Sequence, residues 1–257
     1  MKSRGWHVAA ASVRGAGHEK LGMPCQDAHQ WEAVGEGILV VAVTDGAGSA
    51  PLADAGASLA ARAAVEHVRE RLSSPTPASG LDDEAWAGLL RECAACAQKA
   101  LETEAAARGV PPQDLATTLS LVAATPEVVA AVQVGDGAVV VTGADGCLHA
   151  LVRPVVGEYL NETTFLTSKE ALATLHPAIW RGQPRHLAVF SDGLQMAALR
   201  MPSGEPHPGF FTPLFEFLQG QPDPGQATQA LAAFLGSERL RERTDDDVTL
   251  VLATWLE

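Results

Sequence analysis

Four strongly apolar stretches of this chain run into or out of an aspartate beside a turn: "VAVTDGAG" (Asp45), "AAVQVGDGAVV" (Asp136), "LAVFSDGL" (Asp192) and "RTDDDVTLVL" (Asp245 to Asp247). Apolar runs of this length, bounded by turn formers, read as strands covered on one or both faces. A single Asp-Gly pair is an ordinary capped turn. Four carboxylates collected at one sheet edge are different, because they repel one another and raise each other's pKa unless a divalent cation neutralises them. The donors are all oxygen, with no His-Cys cluster, so hard ions such as Mg²⁺ or Mn²⁺ fit better than zinc or copper. Two such ions about 3.5–4 Å apart can activate a water for in-line attack on phosphorus, so hydrolysis is the implied chemistry.

The rest of the chain supplies a frame for those strands. Residues 6 to 12 and 38 to 44 read as strands, and Leu52 to Leu72 and Asp82 to Arg108 as long helices separated by "SSPTPASG". After "GVPPQD" the valine-rich segments "ATTLSLVAAT", "VVAAVQVGD" and "GAVVVTG" predict an antiparallel meander. Residues 143 to 186 read as an irregular excursion with one short helix over Ser168 to Leu175; a strand at "HLAVFSD", a helix over Gly225 to Leu235 and a closing strand "DVTLVLATWL" follow. At 257 residues and 47% hydrophobic, the chain can bury a large core, and it reads as a single domain.

Eighteen Lys and Arg against 31 Asp and Glu leave a net charge of −13, which disfavours nucleic acid and anionic membranes as partners. No run reaches membrane-spanning length, and the alanine-rich start is interrupted by Arg14 before it could serve as a signal. Four cysteines do not make a disulfide framework, which suits a reducing cytoplasm. Cys93 and Cys96 form a CxxC within helix-forming sequence, with no second pair at zinc-site spacing, and read as ordinary helical cysteines.

The order of these motifs resembles the metal-dependent serine/threonine protein phosphatases of type 2C. "HEKLGMPCQDAH" is similar to that family's early acidic motif, "DGAG" to its DGxG, "ATTLSLV" to its threonine-rich strand, "VGDGAVV" to GDS-R, "FSDGL" to SDG and "DDDVTLVL" to DN-x-T; "PCQDA" and "GEYLNETTFL" look most like a bacterial branch. The resemblance implies a four-layer αββα sandwich of two antiparallel sheets flanked by helices, with residues 143 to 186 as a flap beside the site. It implies two Mn²⁺ or Mg²⁺ ions bridged by Asp45, with the Gly46 carbonyl on one of them, Asp192 and Asp246 completing the second, and Asp27 holding metal-bound water. Asp246 takes the ligand place before "DVT", with Asp245 its rival, and Asp136 would form a third, weaker site with Asp192. The implied partner is a phosphoserine or phosphothreonine protein, opposite a serine/threonine kinase, acted on by a monomeric cytoplasmic enzyme.

Two positions depart from the family pattern. Where eukaryotic members carry a proposed general-acid His, two residues after the bridging Asp, this chain has Ala47, and where bacterial relatives place a phosphate-gripping Arg it has Gly22. His18, Lys20 and Arg14 are nearby substitutes, and His18 could protonate the leaving serine oxygen or be a plain turn histidine. Thr117 and Thr118 read as strand residues packing the sheet. The two departures also admit a second function, a phosphatase-fold regulatory or binding module with little or no turnover. A nucleotide-binding α/β protein is disfavoured, because neither "RGAGHEKLG" nor "DGAGSA" has phosphate-loop spacing.

Overall fold

A computed structural model describes residues 5–35, 37–73, 80–154 and 163–256. Among the described residues there are twelve strands, ten of them in two five-stranded antiparallel sheets. The first sheet has the order β1 (Gly5–Val13), β12 (Val248–Leu256), β9 (His186–Phe190), β6 (Ala138–Thr142), β7 (Leu148–Val152). The second has the order β2 (Asp27–Val34), β3 (Ile38–Asp45), β4 (Leu119–Ala124), β5 (Val128–Val134), β8 (Ala178–Arg181). The short pair β10 (Leu199–Arg200) and β11 (Glu205–Pro206) stands apart.

Side-chain alternation along each strand explains the layering. On β3, Leu39, Val41 and Val43 face the first sheet and pack with Val8, Val122, Val139, Val189 and Val251. The intervening Val40 and Ala42 face outward onto α2 (Ala53–Leu72) and α3 (Asp83–Arg108). The first sheet likewise turns Ala188, Phe190, Leu250 and Leu252 outward, where α5 (Pro208–Gly220) and α6 (Pro224–Leu235) cover them. The order is therefore helices, sheet, sheet, helices. Three short helices, α1 (Ala16–Leu21), α4 (Gln195–Ala198) and α7 (Glu238–Arg241), lie in connections.

Helix α3 begins one residue after Asp82, whose side chain caps the Ala85 amide at 2.8 Å. The buried face of α2 is nearly all small: Ala53, Gly56, Ala57, Ala60, Ala61 and Ala64. A Cβ on Gly56 would lie 2.3 Å from the Leu115 carbonyl oxygen, so this helix can seat only because that position is bare.

The chain differs from its sequence-based outline in several places. The meander is broken: β4 and β5 pair with each other, but β6 crosses to the opposite sheet and pairs with β7 and β9. The stretch 143 to 186 carries the edge strands β7 and β8, and Ser168 to Leu175 forms turns rather than a helix. That stretch is anchored, since Leu166, Ala171 and Leu175 are buried in the core under α2 and α3; residues 157 to 162 of "GEYLNETTFL" lie outside the described residues. Helix α2 also starts at Ala53, two residues beyond Pro51.

Candidate metal centre

Asp45 ends β3 directly opposite Asp27, which opens β2. The backbone around Asp45 is pinned from the start of β4. The Thr118 hydroxyl accepts the Asp45 amide at 2.9 Å, and the Thr118 amide and Thr117 hydroxyl donate to the Asp45 carbonyl at 2.8 and 3.0 Å. Thr117 and Thr118 therefore hold the site's main chain instead of merely packing a strand. Gly46 comes next, and a Cβ there would meet Ala53 at 2.8 Å, which keeps this turn against the start of α2.

Asp136 sits in the loop between β5 and β6. Its side chain accepts from the Thr163 hydroxyl at 3.0 Å and its carbonyl from the Gln195 amide at 2.7 Å. Asp192 follows β9. One carboxylate oxygen from each of Asp45, Asp136 and Asp192 lies within 4.8 Å of the other two. The two sheets thus deliver three acids from three different strand ends to one point.

Burial, then mutual repulsion, leaves Asp45, Asp27, Asp192 and Asp246 reluctant to ionise. Burial first, and then the charges of Asp27, Asp192 and Asp246, push Asp45 up to about 11. Burial raises Asp27 to about 7 against the opposing pull of its hydroxyl partner Ser191. Asp192 rises to about 6, from burial and then from Asp136 and Asp246. Asp246, at the exposed rim, is raised as well, first by partial desolvation of its carboxyl. A set of hard oxygen donors too crowded to carry its charges alone is what a divalent cation fits.

Of the two rival acids before β12, Asp246 is the one whose charge is felt at both Asp45 and Asp192. Asp245 contributes its carbonyl, which accepts the Gly17 amide at 2.7 Å. Asp247 has a different task. Its buried carboxylate accepts from the Gly15 amide at 2.7 Å, the Gln26 amide at 2.5 Å and His18 Nδ1 at 2.9 Å. It ties α1 and the approach to Asp27 onto the loop that carries Asp245 and Asp246. Gly15 is required there, because a Cβ would lie 2.2 Å from the Asp246 carbonyl.

His18 is accordingly no solvent-facing turn residue. Its side chain is only 16% exposed and its ring is fixed through Nδ1 by Asp247, while Nε2 has no hydrogen-bond partner among the described residues. Gly22 ends α1 in the left-handed conformation at φ 66°, a place that disfavours an arginine. Arg14 is tethered by a 3.1 Å bond to the Met23 carbonyl. Ala47 is packed with Ala50, Ala53, Ala116 and Phe165, which leaves no room for an imidazole.

A polar chain unseen in the sequence links the sheets behind Asp27. The Ser191 hydroxyl donates to Asp27 at 2.6 Å and accepts the Thr249 amide at 3.0 Å. The Thr249 hydroxyl donates to Ser12 at 2.7 Å, and Ser12 lies 2.8 Å from His29 Nδ1. Ser191 immediately precedes Asp192 and Thr249 lies two residues after the acid triplet; that proximity is the signal the sequence carried for this network. The CxxC stays as expected on α3, with all four cysteines free.

Comparison with known proteins agrees with this fold. The chain is 35% identical over 258 residues to serine/threonine-protein phosphatase 3 of Escherichia coli K12, covering 98% of this chain and 99% of that one. The phosphatase Stp1 of Staphylococcus aureus shares the fold with a TM-score of 0.63 at 13% identity, over 97% of this chain and 95% of that one. PppA of Pseudomonas aeruginosa, described as a regulatory component of the type VI secretion system, superposes with a TM-score of 0.58 at 21% identity, over 98% of each chain. The sequence profile described as "Protein phosphatase 2C" matches residues 14–236, and the chain belongs to that family.

Proposed function

We propose that this protein is a metal-dependent serine/threonine protein phosphatase whose reaction centre is the acidic end of the sandwich. The convergence of Asp45, Asp136 and Asp192 carries this reading. Asp45, Asp192 and Asp246, with the Gly46 carbonyl, would hold two Mg²⁺ or Mn²⁺ ions, and Asp136 with Asp192 a third. Bound there, such ions would neutralise the phosphate and lower the pKa of the attacking water.

The chain's own residues do the rest. Asp27, held by Ser191, presents an acceptor beside Asp45 for the proton of a water aimed at phosphorus. As the water oxygen bonds to phosphorus and the bond to the serine or threonine oxygen breaks, His18 Nε2 would give that oxygen its proton, the ring being held by Asp247. The products are inorganic phosphate and a free hydroxyl, with no covalent enzyme intermediate. Arg14 and Lys20 stand on or beside α1, near enough in the chain to meet phosphate oxygens in place of an arginine at position 22. The substrate is then a phosphoprotein, opposed by a kinase. No described helix is long and apolar enough to cross a membrane.

The module reading draws support from Gly22 and Ala47, and the crowded acids weigh against it, because a chain without metal gains nothing from that repulsion. Titration with Mn²⁺ by calorimetry, and hydrolysis of p-nitrophenyl phosphate and a phosphoserine peptide, decide between them. The phosphatase reading expects both binding and turnover, and their loss in Asp192→Asn. Binding without turnover, beside an active control phosphatase, would leave only the module.

A further inference from the structure

On the outer side of the first sheet, among α4, α5, α6 and α7, lies an open cavity of about 280 Å³. Met196 on α4, His207 and Phe210 at the start of α5, Phe234 on α6, and Arg239 and Arg243 on and after α7 line it. Its base is aromatic: Phe210 stands edge-on to Phe211 at 5.1 Å and tilted against Phe234 at 6.0 Å. Its rim is cationic. Neither the Arg239 nor the Arg243 guanidinium has an ion-pair or hydrogen-bond partner among the described residues, whereas Arg241 between them is clamped by both carboxylate oxygens of Glu19 at 2.7 and 2.8 Å.

Two unpaired guanidinium groups over an aromatic base stand out in a chain of net charge −13. Planar guanidinium forks favour carboxylate and phosphate oxygens, and the aromatic rings favour the apolar stem that carries such a group. Two of the lining residues are close in the chain to candidate site acids. Met196 follows Asp192 by four residues, and Arg243 precedes Asp246 by three, a separation of at most about 11 Å along the chain. An extended peptide covers that distance in about three residues.

We propose that this cavity is a specificity subsite for an acidic side chain of the phosphoprotein substrate, about three residues from the phosphorylated serine or threonine. The proposal rests on the phosphatase reading and deepens it. The phosphate anchored at the acidic centre makes the second contact intramolecular, so a weak pair of exposed ion contacts suffices to discriminate substrates. The local positive rim reverses the repulsion that the rest of the surface exerts on an acidic segment.

The test compares phosphoserine peptides that differ only in Glu or Ala three residues before or after the phosphoserine, with p-nitrophenyl phosphate as a substrate that cannot reach the cavity. Wild type should favour the glutamate peptide of one polarity by about tenfold in kcat/KM, and the preference should shrink in high salt. Arg239→Ala with Arg243→Ala should abolish the preference while p-nitrophenyl phosphate turnover and the melting temperature stay unchanged. Arg243→Glu should favour a lysine peptide instead. Equal turnover of the peptides by wild type, a preference that survives the double variant, or loss of p-nitrophenyl phosphate turnover in that variant would each overturn the subsite while leaving the phosphatase reading intact. Absence of all turnover would remove the phosphatase reading and the subsite together.

Discussion

Ala47 and His18 bear on where a proton donor for the proposed reaction could sit. A histidine at 47 would have to enter the contact formed by Ala50, Ala53, Ala116 and Phe165, so Ala47→His is expected to destabilise the protein by about 1–3 kcal/mol without raising turnover. Urea denaturation together with phosphopeptide hydrolysis checks both halves. In the proposed mechanism His18, its ring fixed by Asp247, would be the proton donor. Its removal should matter in proportion to how poor the leaving group is. His18→Ala is therefore expected to lower kcat on a phosphoserine peptide by about 10²-fold or more and to leave p-nitrophenyl phosphate, whose leaving group needs no proton, nearly untouched. An equal loss on both substrates would assign His18 a structural task instead.

At the scale of elements, close approach governs where the acids end up. Helix α2 presses its alanine face onto the second sheet, and Gly56 against the Leu115 carbonyl sets how near the strand β4 and its preceding threonines come to Asp45. Gly56→Ala should push that contact apart from 2.3 Å, and the expected result is a loss of several kcal/mol in urea together with weaker Mn²⁺ binding measured calorimetrically. Much of this arrangement was legible beforehand. The continuous runs of β3, β4, β5, β9 and β12 and the capped helix α3 announce themselves, because burial on both faces and an Asp cap leave plain marks. Edge strands do not: β2 reads "DAHQWEAV", a half-exposed mixture, and β7 and β8 are as weakly marked. Helix α5 hides behind Pro213 inside it. The crossing of β6 to the other sheet had no local signal, since valines look alike in either sheet. Likewise Asp45, Asp136 and Asp192 were visible as acids at strand ends, whereas Asp247, Ser191 and Thr249 acquire their roles only when α1, β9 and β12 meet.

For the whole molecule, the acidic end sets how stability varies with pH. Asp27 and Asp192 carry folded pKa values of about 7 and about 6, raised above the unfolded 3.8 by burial and neighbouring charge, with Asp45 higher still. A raised carboxyl means that the folded state holds its proton more tightly than the unfolded chain. The contribution is fully present below pH 3.8 and is lost as pH climbs through the folded values. Metal-free protein should therefore lose stability steadily between about pH 4 and pH 7. For Asp192 alone the loss is up to about 3 kcal/mol, from a shift of about two units at 1.36 kcal/mol each. Asp192→Asn removes that titration, so the metal-free variant should melt higher than wild type at pH 7.5 and close to it at pH 4.5. Saturating Mn²⁺ should reverse the order at pH 7.5, because cation binding to the folded state stabilises only the chain that retains its ligands. Differential scanning calorimetry at the two pH values, with chelator and with Mn²⁺, gives the four comparisons. A wild type that melts higher than the variant in chelator at pH 7.5 would mean that these acids are not held in conflict, and would remove the physical ground for placing the ions among them.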